Sequence, residues 1–237
     1  LESTEALKAL RDLAVEIGPN RLTGGLSRTG TDPITGALAL DAPDISTLAA
    51  LALTEATGSA KADIRLAPAA QGQGVAITAS ARDVVTPQAR LGALDLNLDV
   101  TDALEAPLAA GALTATQAQV AGLDLTRVTA TAEQTGPDAM NLAANASFAI
   151  GTEASLTGGL QRLADGFALT LQSLDLAQNQ TRARLTEPAT VTSRGGVVTL
   201  SPLALDVDGG RLTAQGTAGE TLDLSVALER LPLAIAN

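Results

Sequence analysis

The sequence predicts a mainly β chain: an elongated, curved, mostly antiparallel sheet with one hydrophobic face, accompanied by one or two short helices. Three observations carry this. Apolar and polar residues alternate with a period of two over most of the chain, short Gly, Asn, Pro or Asp punctuation separates the runs, and aromatic residues make up only 1% of the sequence. Alternation makes one-sided strands. The links are too short for parallel crossovers, and the small side chains leave little to fill a thick core.

Composition narrows the chemistry. Among 237 residues there are 47 Ala and 39 Leu, against 2 Phe, 1 Met and no Tyr, Trp, His or Cys. Without His there is no Ser-His-Asp relay and no imidazole metal ligand, and without Cys no thiolate zinc site, iron–sulfur cluster or disulfide. Only carboxylate, Lys or Ser chemistry stays open, so an enzyme is the least expected reading, with no cofactor and no metal. The net charge of −11 and the lack of a basic cluster argue against nucleic acid. A chain 46% hydrophobic and 17% charged folds rather than staying disordered.

Near the N-terminus, residues 3–10 give a weak helical pattern. Gly18-Pro19-Asn20 marks a turn, and Leu38 and Leu40 alternate before Pro43. Asp44 then caps a helix over 44–53, with apolar residues at 45, 48, 49, 52 and 53. Alternation returns in Ala60-Lys61-Ala62-Asp63-Ile64-Arg65-Leu66 and in Leu94, Leu96, Leu98 and Val100. Residues 102–110 read as a loop because Pro107 lies inside them. The uncharged stretch 106–123 is interrupted by Thr114, Thr116, Gln117 and Gln119, too polar for a membrane-spanning helix.

Leu142, Ala144, Ala146, Phe148 and Ile150 alternate again, as do Leu222, Leu224, Val226 and Leu228. Phe167, Leu169 and Leu171 keep odd parity but Leu174 and Leu176 even, which predicts a bulge near Gln172-Ser173. Gly136-Pro137-Asp138, Asp165-Gly166, Gly195-Gly196 and Gly209-Gly210 mark further turns. The count comes to about fourteen strands.

The chain also repeats itself at long range. Asn20-Arg21-Leu22-Thr23 is followed by Gly, an alternating run, Pro43 and the apolar helix. Gly210-Arg211-Leu212-Thr213 is followed by Gly216, the run to Leu228, Pro232 and Leu233-Ala234-Ile235-Ala236-Asn237. Residues 1–237 therefore read as a single segment of a larger repeating protein, with partial repeats near 18–58 and 208–237 and a second apolar helix beginning at the C-terminus.

A one-sided sheet must cover its apolar face with a second sheet, with helices, or by curling around a channel. The helices are too few, and Ala, Leu and Val leave space. A curled sheet with an incompletely filled apolar lumen is favoured over a packed sandwich or β-solenoid. Its expected lining is Ile64, Leu66, Leu94, Leu96, Leu98, Leu123, Leu125, Leu142, Phe148, Ile150, Leu169, Leu171, Leu200, Leu205, Leu224 and Val226. A lipid tail suits such a lining, since each methylene taken from water contributes about 0.8 kcal/mol.

The order Arg-Leu-Thr, Gly, alternating strand, Pro, apolar helix, met twice in a chain rich in Ala, Leu, Thr and Gly, resembles the repeating region of the TamB family within the AsmA-like group. The resemblance covers essentially the whole chain. It implies a β-taco, a curved sheet with a hydrophobic concave side, in a periplasmic protein anchored in the inner membrane and reaching toward an Omp85-class (TamA-like) outer-membrane partner. It also implies carriage of phospholipid to the outer membrane, support of outer-membrane protein assembly and secretion, or both. Anchor and partner contact would fall outside these residues. A β-augmentation scaffold for outer-membrane β-barrels and autotransporters, and a structural β-solenoid, stand as alternatives.

The remaining motifs are weak. Gly72-Gln73-Gly74 lacks the Lys-Ser/Thr of a phosphate loop, and Asp206-Val207-Asp208-Gly209-Gly210 lacks further calcium ligands. Asp95 and Asp99 share a strand face about 13 Å apart, too far for paired-carboxylate glycosidase chemistry. Arg182 and Arg184 share a face too, which favours outer-face ion pairing over contact with a phosphate at the rim.

Overall fold

The computed structural model describes residues 7–230 except Gln71, Ala106 and Ala121. The strands are β1 (Leu7–Ile17), β2 (Asn20–Thr29), β3 (Thr35–Ala42), β4 (Thr57–Pro68), β5 (Gln73–Val85), β6 (Ala89–Thr101), β7 (Leu108–Val120) and β8 (Leu123–Gly136). They continue as β9 (Ala139–Phe148), β10 (Thr152–Leu163), β11 (Gly166–Gln178), β12 (Thr181–Leu185), β13 (Ala189–Arg194), β14 (Val197–Val207), β15 (Gly210–Ala218) and β16 (Leu222–Glu229). One helix, α1 (Ser46–Leu51), joins β3 to β4. The protein is thus mainly β, as the alternation predicts, and the sixteen strands among the described residues belong to one sheet in chain order.

Strands β12 and β13 share one sheet position, since each pairs antiparallel with both β11 and β14. Glu187-Pro188 separates them, and a proline has no N–H to offer a ladder. The predicted bulge is present: Thr157 pairs with Ser173 and Gly158 with Leu171, leaving Gln172 as the extra residue.

Three expectations are corrected. Residues 7–10, read as helix, lie in β1, where Leu10 pairs with Leu26 of β2; residues 3–6 lie outside the described residues. The loop expected over 102–110 ends earlier, because β7 begins at Leu108. The helix expected over 44–53 shortens to six residues. Leu53 takes positive φ and is 96% exposed, so the last apolar residues of the pattern form a turn. Asp44, expected as the helix cap, stands one residue further out: the N-cap is Ile45, with no side-chain cap bond, while Asp44 Oδ1 accepts the Ser46 N–H at 2.9 Å in an Asx turn, and bonding to the Ser46 hydroxyl and N–H holds its carboxyl below the ordinary carboxylate value. The second apolar helix expected from Pro232 onward lies outside the described residues.

The chain divides into two compact units, Leu1–Arg127 and Val128–Asn237. In the first, two buried polar side chains tie the sheet's ends. Asn20, 2% exposed, donates to Thr47 Oγ1 at 2.6 Å and accepts the Asp44 N–H at 3.2 Å, which fastens α1 to the β1–β2 turn. Gln73, 3% exposed, accepts the Ile34 N–H at 2.6 Å and donates to the carbonyls of Ile34, Ala67 and Gly74. It binds the β2–β3 loop to the β4–β5 turn at the opposite strand ends. In the second unit, the Arg162 Nε donates to Asp138 Oδ1 at 2.8 Å and ties β10 to the β8–β9 turn.

The long-range repeat is a repeat of structure. β1 and β14 are the same eleven positions, 190 residues apart, and each has a bulge at the same place, between Leu10 and Leu13 or between Leu200 and Leu203. β2 and β15 then begin at the matching Asn20 and Gly210. The match reaches upstream of the Arg-Leu-Thr signature, to Leu13-Ala14-Val15-Glu16-Ile17 and Leu203-Ala204-Leu205-Asp206-Val207.

Candidate functional site: the apolar face

Strand register assembles the alternating residues into cross-strand rows. In the first unit one row runs Val15, Leu22, Leu40, Ala62, Ala79, Leu96 and Leu113 across β1 to β7. Beside it runs Leu13, Gly24, Leu38, Ile64, Ile77, Leu98 and Gly111, and beside that Leu10, Leu26, Gly36, Leu66, Val75, Val100 and Ala109. Leu94 sits in a fourth row between Ala81 and Ala115. Five expected lining residues, Ile64, Leu66, Leu94, Leu96 and Leu98, therefore share one face.

The second unit repeats the arrangement. Met140, Leu160, Leu169, Val191, Leu200, Gly216 and Leu224 form one row. Leu142 and Leu171 lie in the next, bridged by Gly158. Leu205 joins Leu185, Leu212 and Leu228, and Val226 joins Leu203 through Ala214. The bulge between Leu200 and Leu203 keeps both on this face despite their opposite parity. Phe148 keeps the parity of Leu142 at the last position of β9. Leu123 and Leu125 lie on β8, the former exposed and the latter half-buried. Ile150 is the exception: β9 ends at Phe148, and Ile150 stands in the following turn, 72% exposed.

These rows are shielded from the side. Among the described residues no large side chain is fully buried, and the strands contact their sheet neighbours rather than a covering layer. Leu38, Leu40, Ile64, Leu96, Leu98, Leu169 and Leu171 are half-buried; Leu40, Ile64, Leu96 and Leu169 have an apolar side chain opposite on both adjacent strands, while Leu38, Leu98 and Leu171 have one on one side and a glycine on the other. Glycines interrupt the rows at points where no side chain fits. Gly24 has φ +144°, and a Cβ there would fall 2.1 Å from the Ala37 carbonyl oxygen. Such glycine positions are where a sheet can bend without tearing its ladder.

The opposite face is polar and carries cross-strand charge rows. Glu16, Arg21, Asp41 and Lys61 succeed one another across β1 to β4, with Glu16–Arg21 at 3.9 Å and Asp41–Lys61 at 3.3 Å. Asp175, Arg184, Asp206, Arg211 and Glu229 do the same across β11, β12, β14, β15 and β16, with Arg184–Asp175 at 2.8 Å. Arg184 thus makes the outer-face ion pair expected of it. Asp95 pairs with Arg82 at 2.7 Å on the same polar side.

A concavity of about 480 Å³ also lies on the polar face, among Lys61, Asp63, Ser80, Asp95, Asn97 and Thr114. Short hydroxyl and carboxylate side chains beside a long lysine leave gaps there. The Asp206 and Asp208 carboxylates serve turns: Asp206 Oδ1 accepts the Gly209 N–H and Asp208 Oδ1 the Arg182 N–H.

Sequence reasoning missed Ile77, Leu113, Met140, Leu160 and Val191 as members of the apolar rows. Cross-strand register, which single runs do not reveal, is the signal that finds them. No helix among the described residues is long and apolar enough to cross a membrane. No family model matches the chain, and no curated protein or solved structure matches it either.

Proposed function

We propose that this chain is a segment of a TamB-like, periplasm-spanning envelope protein whose apolar sheet face shields phospholipid acyl chains on their way between the inner and outer membranes. The observation that supports this reading is the set of cross-strand rows of Leu, Ile, Val and Ala on one face of each unit, with no overlying layer among the described residues. An acyl chain laid on it removes its own methylenes and the leucines beneath it from water, at about 0.8 kcal/mol per methylene. Neighbouring rows present nearly equal surfaces, so a chain slides from one to the next at small cost. The headgroup stays in water at the margin. An apolar surface does no work, so direction comes from outside this segment, as does contact with an Omp85-class outer-membrane partner.

The reading is tested by purifying the chain from a diderm envelope and extracting bound lipid for mass spectrometry. Phospholipid is expected in the wild type and about tenfold less in the double variant Leu96→Asp, Leu169→Asp, which removes two large apolar contacts and adds two charges. Equal recovery from both proteins, or none from either, overturns it.

A further inference from the structure

We infer that each unit holds the headgroup of a zwitterionic phospholipid, its phosphate on an arginine at one end of the apolar face, Arg28 or Arg162, and its ammonium on carboxylates of the adjoining turns. This rests on the reading that the face carries acyl chains, and adds the lipid class that the face selects.

The charge rows described above lie on the polar face, but these two arginines have the parity of the leucines. Arg28 follows Leu22, Gly24 and Leu26 along β2, and Arg162 follows Gly158 and Leu160 along β10. Each stands one step beyond the last leucine of its alternating run, where the strand approaches a turn. A guanidinium there suits the phosphate that ends a pair of acyl chains, because its planar donors bond phosphate oxygens with charge assistance.

In the first unit Lys8 stands opposite Arg28 on β1, so two cations meet across the ladder, an arrangement that an anion relieves. Arg28 lines a concavity of about 170 Å³ with Ile34, Leu104, Asp32, Asp102 and Glu105. Its guanidinium donates to the Thr31 carbonyl at 3.2 Å, and none of the four charged side chains around this concavity makes an ion pair among the described residues. The surroundings are built to hold position. Gln73, on the same wall, pins the β2–β3 loop through Ile34, and Asp102 Oδ1 sits so close to Gly72 that a Cβ there would fall 2.4 Å from it. A purely anionic headgroup would face three carboxylates, and an uncharged one would leave Arg28 unpaired. A phosphate esterified to an ammonium-bearing alcohol satisfies both signs.

The second unit supplies the same pair of groups. Arg162 stands beside Phe167 of β11, and its Nε and Nη2 both donate to Asp138 Oδ1. The third guanidinium nitrogen, Nη1, is buried and has no acceptor among the described residues. A buried donor without a partner is costly, and a phosphate oxygen that reaches it removes the cost. Asp138 is the carboxylate for the ammonium.

The test offers the full chain mixed micelles holding equal amounts of phosphatidylethanolamine, phosphatidylglycerol and diacylglycerol with the same acyl chains, and measures bound lipid by mass spectrometry. Phosphatidylethanolamine is expected at least fivefold over either competitor. Arg28→Gln with Arg162→Gln is expected to bring it down to the level of diacylglycerol, and Asp102→Asn with Glu105→Gln to narrow its lead over phosphatidylglycerol. Because Arg162 also ties β10 to the β8–β9 turn, Arg28→Gln alone, at an exposed position, is measured as well and is expected to lose about half of the preference. Lipid bound without preference among the three classes, or a preference that survives the arginine substitutions, overturns the inference and leaves the acyl-chain reading standing. No bound lipid of any class overturns both.

Discussion

The two copies of the three-stranded unit differ in what flanks them. In the first, β3 has β4 beside it, and Leu38 and Leu40 are half-buried; in the second, β16 is the last strand among the described residues, and the equivalent Val226 and Leu228 are more than half exposed there. Side-chain pattern and pairing with the preceding strand are the same in both. Among the described residues, apolar side chains are therefore shielded by lateral neighbours and not by an overlying layer. A second difference lies at the strand ends. Asn20 opens β2 and fastens a helix, whereas the matching Gly210 has no side chain to do so.

The comparison breaks hardest at Gly24. The second copy carries Ala214 at the matching position, yet Gly24→Ala is expected to cost about 3 kcal/mol in urea unfolding, because the first copy holds this residue at φ +144° against the Ala37 carbonyl. A loss below about 1 kcal/mol would mean that the backbone of the first copy relaxes readily toward that of the second. Next comes Asn20→Gly, which writes the second copy's residue into the first. Losing both side-chain hydrogen bonds is expected to cost about 2 kcal/mol and to speed amide exchange in α1 while leaving β5 and β6 protected. The smallest effect compares truncations. Leu40→Ala is expected to cost about 1.5 kcal/mol and Leu228→Ala less than about 0.5, and equal costs would contradict lateral shielding.

Much of this fold is legible in the sequence, for a physical reason: side chains on a strand alternate strictly, so a one-sided sheet writes its faces into residue parity. Parity alone places a bulge near Gln172-Ser173, which the register narrows to Gln172, and the Gly-Pro-Asn, Gly-Pro-Asp and Gly-Gly punctuation locates the turns. What parity hides is whatever depends on neighbours. Alternation carries on to Ile150 although β9 stops at Phe148, since nothing in a run says where its partner strand ends. The helix pattern runs to Leu53, but α1 ends at Leu51 because its last apolar residues meet no sheet.

Asn20 and Gln73 are unremarkable letters in their own segments; loops distant in sequence make them buried clamps. Among the lining residues, alternation identifies which belong together on a strand. Only the register shows that Leu96 adjoins Leu113 and Leu169 adjoins Val191.

The central claim concerns one face, so it is tested most directly by comparing faces. Photocrosslinking residues placed in cells at Leu96 and Leu169, and at their polar-face neighbours Asn97 and Thr170, report what lies against each side. The account predicts phospholipid adducts at Leu96 and Leu169 and none at Asn97 and Thr170. Adducts absent from the apolar positions, or equally abundant on both faces, would contradict it.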